Sequence, residues 1–327
     1  MNPSFAVSQP RRNTAGCACR STPSSTDVVP HAAFDALRRH VNELAAIVHE
    51  IAKKQAPAEG REAVNLLEGT TVSSLIARSM RIIGGEDVSP GDFTDCAVVG
   101  RRSSAGVTQW FCSGVLIHKR VVLTAAHCLL PGAPNVVALG AENVLDLSRA
   151  EIVGVHKSFV HPSYNEGALI AHHDIGILLL ETEAKNPRVN VTAEEQLVAA
   201  THITAVGFGN NDIYSSRGFG VKRKVTIEIK ALRRSRQEDL DSQETLYGFE
   251  SDDELVAGDP HMDSCNGDSG GPAYVLTKEE GWLVAGLTSR GIREKSADHP
   301  PCGDGGIYTR IDAHWPWIKE KLANYLH

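Results

Sequence analysis

No apolar stretch in the 327 residues reaches the roughly 18 that a membrane-crossing helix needs. The longest, "IGILLL" at 175–180, reads as a buried strand. The opening "MNPSFAVSQPRRNTAGCACRS" lacks the apolar core of a secretion signal. Arg11-Arg12 and "TAGC" at 14–17 look faintly like twin-arginine and lipoprotein signals, but without that core we read both as chance. Excess positive charge is also missing. Against 40 Asp and Glu stand only 33 Lys and Arg, a net charge of −7, which argues against a general affinity for nucleic-acid phosphates. Nor is there an even number of cysteines: seven leave at least one thiol without an internal partner. No internal repeat is evident.

What is there belongs to an ordinary globular protein, 42 % hydrophobic and 22 % charged. The length suits one large domain with an appendage, or two modest domains. Residues 1–30 are rich in Ser, Thr, Pro and Arg and are expected to be disordered. From Pro30, "PHAAFDALRRHVNELAAIVHEIAKKQ" reads as helix, opening the segment 31–81. Phe34, Leu37, Val41, Leu44, Val48 and Ile51 form a narrow apolar seam of the kind that packs on another helix. That helix is either the chain's own stretch near 63–77, or one from a second copy or a partner. Beyond Arg81 the texture changes. Short β-rich runs such as "VVLTAA", "NVVALG", "HITAVGFG", "KVTIEIK" and "WLVAGLTS" alternate with turn residues, which predicts a sandwich or a barrel pair. The final "DAHWPWIKEKLANYLH" predicts a helix presenting Trp315, Ile318 and Leu322 to the core.

Some residues in this β-rich part are chemically suggestive. "LTAAHCLL" sets His127 just after an apolar run, and "AHHDIGILLL" sets Asp174 at the mouth of a buried strand, where a carboxylate needs a partner. "DSCNGDSGGP" places Ser269 among glycines that let backbone N–H groups converge. Singly, each residue has a plausible structural role. Jointly they supply a nucleophile, a base to activate it and an acceptor to hold the base's tautomer.

With "TAAHC", "DIGILLL", "GDSGGP" and "GIYTRI" in order, the chain from about Ile82 to His327 resembles the trypsin-like serine proteases of the chymotrypsin fold. The resemblance implies an all-β domain over 82–327, two packed six-stranded antiparallel barrels with a C-terminal helix. It implies a serine endopeptidase in which His127 is general base, Asp174 orients it and Ser269 attacks the substrate carbonyl. Gly267 and Ser269 would supply the oxyanion hole. Asp263 would sit at the base of the primary pocket and select Arg or Lys. Ser289, Gly291 and Gly306 would line the substrate strand and pocket. "IIGG" would be a new N-terminus, freed by cleavage between Arg81 and Ile82, whose ammonium pairs with Asp268. Residues 1–81 would then be a propeptide, and the protein a zymogen. Disulfides Cys112–Cys128 and Cys265–Cys302 follow from the same resemblance, while Cys17, Cys19 and Cys96 have no assigned mate.

Departures from the family pattern are equally specific. Arg290 stands where the family usually has tryptophan, so an apolar shelf beside the primary pocket is in doubt and acidic substrate residues are expected there. The insert "IREKSADHPP" at 292–301 could wall off part of the cleft. In the segment resembling a calcium loop, Ala141 replaces a ligand glutamate, so no tight calcium site is expected. His161 and the pair His172-His173 are read as loop residues, and neither metal nor cofactor is implied. Protein or peptide substrates are, nucleic acid and membrane are not. Two further classes stand beside the enzyme: a protease fold that only binds partners, and a protease recruited within a cell through its N-terminal helices. The family and the disulfides point to secretion and an oxidising compartment, whereas the absence of a visible signal points inside the cell.

Overall fold

The computed structural model describes residues 85–327 except 131, 169, 211–218, 234–236, 259–263, 265–266, 293–304, 324 and 326–327. The expectations for residues 1–81, with their disordered and helical segments and the 34–51 seam, lie outside the described residues.

Six strands form the first barrel: β2 (Cys96–Arg102), β3 (Thr108–His118), β4 (Val121–Thr124), β5 (Val136–Leu139), β6 (Glu151–Val160) and β7 (Gly176–Leu180). They close in the order β2-β3-β4-β7-β6-β5, every pair antiparallel. The second barrel comprises β9 (His202–Gly207), β10 (Arg223–Ala231), β11 (Glu254–Ala257), β12 (Pro272–Thr277), β13 (Gly281–Gly291) and β14 (Gly306–Arg310). Its order is β10-β11-β14-β13-β12-β9, and the β9–β10 pairing shuts the ring. Two-residue strands β1 (Glu86–Asp87) and β8 (Asn190–Val191) extend this sheet along β10 and β13. Three helices complete the described fold: α1 (Glu194–Ala199), α2 (Gln237–Tyr247) and α3 (Ile311–Leu322).

The continuous apolar run of β7 has a clear cause. Alternate side chains of a strand face opposite sides, and here both sides are buried. Leu178 and Leu180 pack with Ala97, Leu116, Val122, Leu139 and Val153, a set drawn from all six strands of the first barrel. Ile177 and Leu179 join Val206, Phe208 and Tyr274 of the second barrel and Ile311, Trp317 and Ile318 of α3. The same alternation lets β10 bury Val225, Ile227 and Ile229 while Thr226 and Glu228 face outward.

The sequence places α3 correctly and picks three residues that pack on the core, though it does not show the whole inner face. Ile318 and Leu322 are buried as expected, whereas Trp315 is only partly so, and His314 and Trp317 take the inner positions. His314 can be buried because its Nδ1–H donates to the Arg310 carbonyl at 2.7 Å, which satisfies a polar edge that would otherwise be costly.

Candidate active site

Each barrel contributes to one cluster of chemistry. His127 lies in a single 3-10 turn (Ala126–Leu129) immediately after β4, and the Cys112–Cys128 disulfide ties that turn to β3. Asp174 sits just before β7, in a tight turn closed by the Ile175 N–H bond to the His173 carbonyl at 2.8 Å. Ser269 lies in the loop before β12, its carbonyl accepting from Ser113 N at 2.9 Å and lying 3.6 Å from Cys128 Sγ. The serine's backbone is therefore pinned against the first barrel, beside the turn that carries His127.

Asp174 holds His127 at two points. One carboxylate oxygen accepts the His127 backbone N–H at 3.0 Å, and the other lies 2.7 Å from Nδ1. An ionised carboxylate only accepts, so Nδ1 carries the proton and Nε2 keeps its lone pair. Asp174 is 3 % exposed, and its remaining valences are filled from the second barrel. Ser289 Oγ donates to Oδ2 at 2.7 Å and Thr309 Oγ1 to the backbone carbonyl at 3.2 Å. Burial disfavours the carboxylate's charge, but the donors from His127 and Ser289 outweigh it and hold the pKa below the ordinary value. Burial likewise favours neutral His127, yet the hydrogen bond and charge of Asp174 prevail and raise its pKa.

The loop around Ser269 follows from its glycines. Gly267 and Gly270 have φ of +99° and +74°, a region open to glycine at little cost. At Gly270 a Cβ would also come within 2.1 Å of Thr124 Oγ1 and 2.6 Å of Ala125 N, so the loop could not close on the first barrel. Asp268, 2 % exposed, accepts the Gly209 N–H at 2.8 Å. Ile82 and Arg81 lie outside the described residues.

Around the expected pocket, Gly291 and Gly306 stand opposite each other in the β13–β14 register. Asp263, Cys265 and Cys302 are outside the described residues, as is the 292–301 insert beyond Ile292. The neighbour of Asp263, Ser264, is described, with its hydroxyl 3.2 Å from Tyr308 Oη on β14. A cavity of about 810 Å³ lined by Arg188, Glu194, Arg310 and Trp315 shares no residue with this cluster. Chemistry rather than volume locates the site.

Arg290 requires a correction. Its guanidinium turns inward and binds Glu254 with both nitrogens, Nη1–Oε1 at 2.6 Å and Nη2–Oε2 at 2.9 Å, and also donates to the Ala171 and Gly248 carbonyls. Glu254, fully buried at the start of β11, also receives His172 Nδ1 at 3.0 Å and the Glu250 N–H at 2.9 Å. With its charge neutralised, Arg290 gives no ground for an acid preference in the substrate. Glu254 was overlooked in the sequence, although "ELVAG" shows an acid leading an apolar run, the same signal that singled out Asp174. Ser113 was overlooked too. Its Oγ donates to the Gly267 carbonyl at 2.9 Å and accepts from Phe208 N at 3.2 Å.

His172 is thus a partner of Glu254, whereas His161 and His173 approach His314 of α3, a convergence that reading them as loop residues did not anticipate. Cys96 is a free, fully buried thiol whose ionisation is pushed up by burial.

Known proteins resemble this chain over the same span. The Trypsin family model matches residues 82–318. Phenoloxidase-activating factor 1 of Holotrichia diomphalia is 26 % identical over 272 residues, covering 74 % of this chain and 70 % of that protein. CLIP domain-containing serine protease B10 of Anopheles gambiae is 30 % identical over 266 residues, with shares of 74 % and 70 %. Mouse cathepsin G is 28 % identical over 253 residues, covering 75 % of this chain and 87 % of its own length. The solved structure of GrC superposes with a TM-score of 0.57 at 24 % identity, covering 73 % of this chain and 99 % of that one; at that identity it speaks for the fold alone. Taken with the paired barrels and the His127–Asp174 pair, the family match makes this chain a member of the trypsin family and a trypsin-like serine endopeptidase.

Proposed function

We propose that the endopeptidase cleaves after Arg or Lys and is made as a zymogen. In this reading residues 1–81, a disordered 1–30 and a helical 31–81, precede a protease domain at 82–327. The Arg81–Ile82 bond is the activation site. The observation that carries the mechanism is the double tether of His127 to buried Asp174, which leaves Nε2 as the basic nitrogen in a turn against which the Ser269 backbone is pinned. Ser269 Oγ gives its proton to Nε2 as it attacks the carbonyl, and His127 returns that proton to the leaving amine. Asp174 stabilises the intervening imidazolium. The N–H groups of Gly267 and Ser269 receive the developing oxyanion.

Specificity rests on Asp263. Gly291 and Gly306, paired across β13 and β14, carry no side chain to block a long substrate residue, and a carboxylate at the base would select a cation and reject apolar groups that leave it unpaired. Two measurements on the protein cut after Arg81 test this reading. A fluorophosphonate probe is expected to label Ser269, and cleavage of a diverse peptide library should follow Arg or Lys. Failure to label would overturn the mechanism; dominant cleavage after Phe, Leu or Glu would overturn the placement of Asp263 alone.

A further inference from the structure

Three histidines with no part in the proposed mechanism meet next to it. His161 follows β6, His173 immediately precedes Asp174 and His314 comes from α3, and one ring nitrogen of each lies within 4.8 Å of the others. His173 Nδ1 is 3.3 Å from His314 Nε2. Asp253 lies beside two of them, its Oδ2 2.7 Å from His173 Nδ1 and 3.5 Å from His314 Nε2. This carboxylate is nearly inaccessible, yet neither of its oxygens accepts an aligned hydrogen bond among the described residues. The His173 approach is short but off the hydrogen-bond direction. A buried carboxylate is costly unless positive charge lies beside it.

We infer that His161, His173 and His314 form a binding site for a divalent ion of the zinc class, with the Asp253 carboxylate beside His173 and His314 as a neighbouring negative charge. Bonds of about 2.0–2.2 Å in a tetrahedral zinc site place ligand atoms roughly 3.4 Å apart, and His314 Nε2 lies 3.3 Å from His173 Nδ1. His314 is already set for the task. Its Nδ1–H donates to the Arg310 carbonyl, which fixes the ring and leaves the Nε2 lone pair facing the cluster, as outer-shell partners of metal-bound histidines do. To bind, His161 gives up a long 3.3 Å bond from Ser163 N to Nδ1 and turns from its stack on His173, whose ring centroid is 5.1 Å away. Imidazoles suit zinc, whereas calcium and magnesium favour all-oxygen sets. His161 and His173 are half-exposed, so an ion can enter from solvent.

The site has a reason to matter for the enzyme. His173 holds φ of +55°, uncommon for a side-chain-bearing residue and sustained only by its surroundings. Its carbonyl closes the turn around Asp174, so an ion that fixes His173 also fixes that turn.

The test uses the full chain carrying Ser269→Ala, which prevents self-digestion. Metal is stripped with a chelator, and zinc chloride or cobalt(II) is then titrated in. Binding is expected to raise the melting temperature, and the cobalt spectrum should show nitrogen and oxygen ligation without thiolate charge-transfer bands. His161→Gln should weaken the site at least about tenfold while melting as before in chelator, and Asp253→Asn should weaken it as well. His127→Ala should bind as tightly as its parent. No binding, thiolate bands as the sole signature, or affinity lost with His127 but not with His161 would each overturn the proposal.

Discussion

The raised pKa of His127 has a consequence that a pH profile can read. The base acts only when neutral, so the acid limb of kcat/KM should lie above the ordinary histidine value of about 6.5. Asp174→Asn removes the hydrogen-bonded charge that raises the pKa and leaves burial, which lowers it. The limb should therefore move to lower pH while kcat falls about 10⁴-fold through the wrong tautomer. A limb that stays in place would separate Asp174 from His127. For stability the two residues work in opposite directions. His127 contributes fully below its unfolded pKa and less as pH rises through the folded one, whereas Asp174 contributes above its unfolded pKa and loses this as pH falls through the folded one. A second residue-scale test concerns Ser113. Ser113→Ala removes the bond to the Gly267 carbonyl and leaves the buried Phe208 N–H without its acceptor. We expect a loss of about 1–3 kcal/mol in urea unfolding and a lower kcat at nearly unchanged KM. Ser113 could not be singled out from the sequence, since a serine in an apolar run shows nothing of where its hydroxyl ends. His127, Asp174 and Ser269 were legible because each lies in a distinctive local run.

Elements were legible in proportion to their burial. β4, β5, β7, β9, β10 and β13 stand out as apolar or alternating runs, and the structure has strands at all of them. β6 is harder to read because its pattern is broken, with Ile152 exposed and Gly154, His156 and Lys157 interrupting the alternation. β1 and β8 are two residues each, too short for any period. α3 was found, but its inner face was assigned by hydrophobicity, and a histidine that donates to its own helix escapes that criterion. The Arg290–Glu254 pair belongs to this scale because it spans β14, joining the ends of β13 and β11. Glu254→Gln would leave the guanidinium without its counter-charge, at a cost of about 3–5 kcal/mol. Replacing both residues by Met and Leu should recover most of that loss, because an apolar pair needs no charge compensation. Burial opposes Glu254's charge, but the bonds from His172 and Arg290 hold its pKa below the ordinary carboxylate value. Its stabilisation is present above the unfolded pKa and is lost as pH falls through the lower folded one. Melting of the double variant should accordingly fall less steeply in acid than that of the parent. Equal acid sensitivity would show that other carboxylates dominate.

At the scale of the molecule, the site exists only because two barrels meet. The first supplies His127 and Asp174, and the second supplies Ser289, Thr309 and the loop of Ser269. Order and spacing of the motifs revealed this joint in the sequence, whereas composition alone suggested nothing more than β structure. The same joint explains why cleavage far from the triad could switch the enzyme on. Asp268 lies between Gly267 and Ser269, is 2 % exposed and is fastened to Gly209 of the second barrel. A carboxylate so deeply placed depends on compensating charge, and a carboxylate without it costs about 3–5 kcal/mol. If the ammonium of Ile82 supplies that charge, the uncut chain should hold the Gly267 loop in another shape and lack the oxyanion donors. Activity on a small Arg substrate should then rise roughly 10²- to 10⁴-fold on cleavage after Arg81. Arg81→Gln should block that rise when trypsin is the activator. Asp268→Asn should be cut normally yet gain little, because the new N-terminus finds no carboxylate. Sequencing the N-terminus of each preparation ties activity to cleavage. An Arg81→Gln chain confirmed as uncut, yet as active as the processed enzyme, would show that Asp268 is satisfied within the intact chain and that residues 1–81 serve some purpose other than latency.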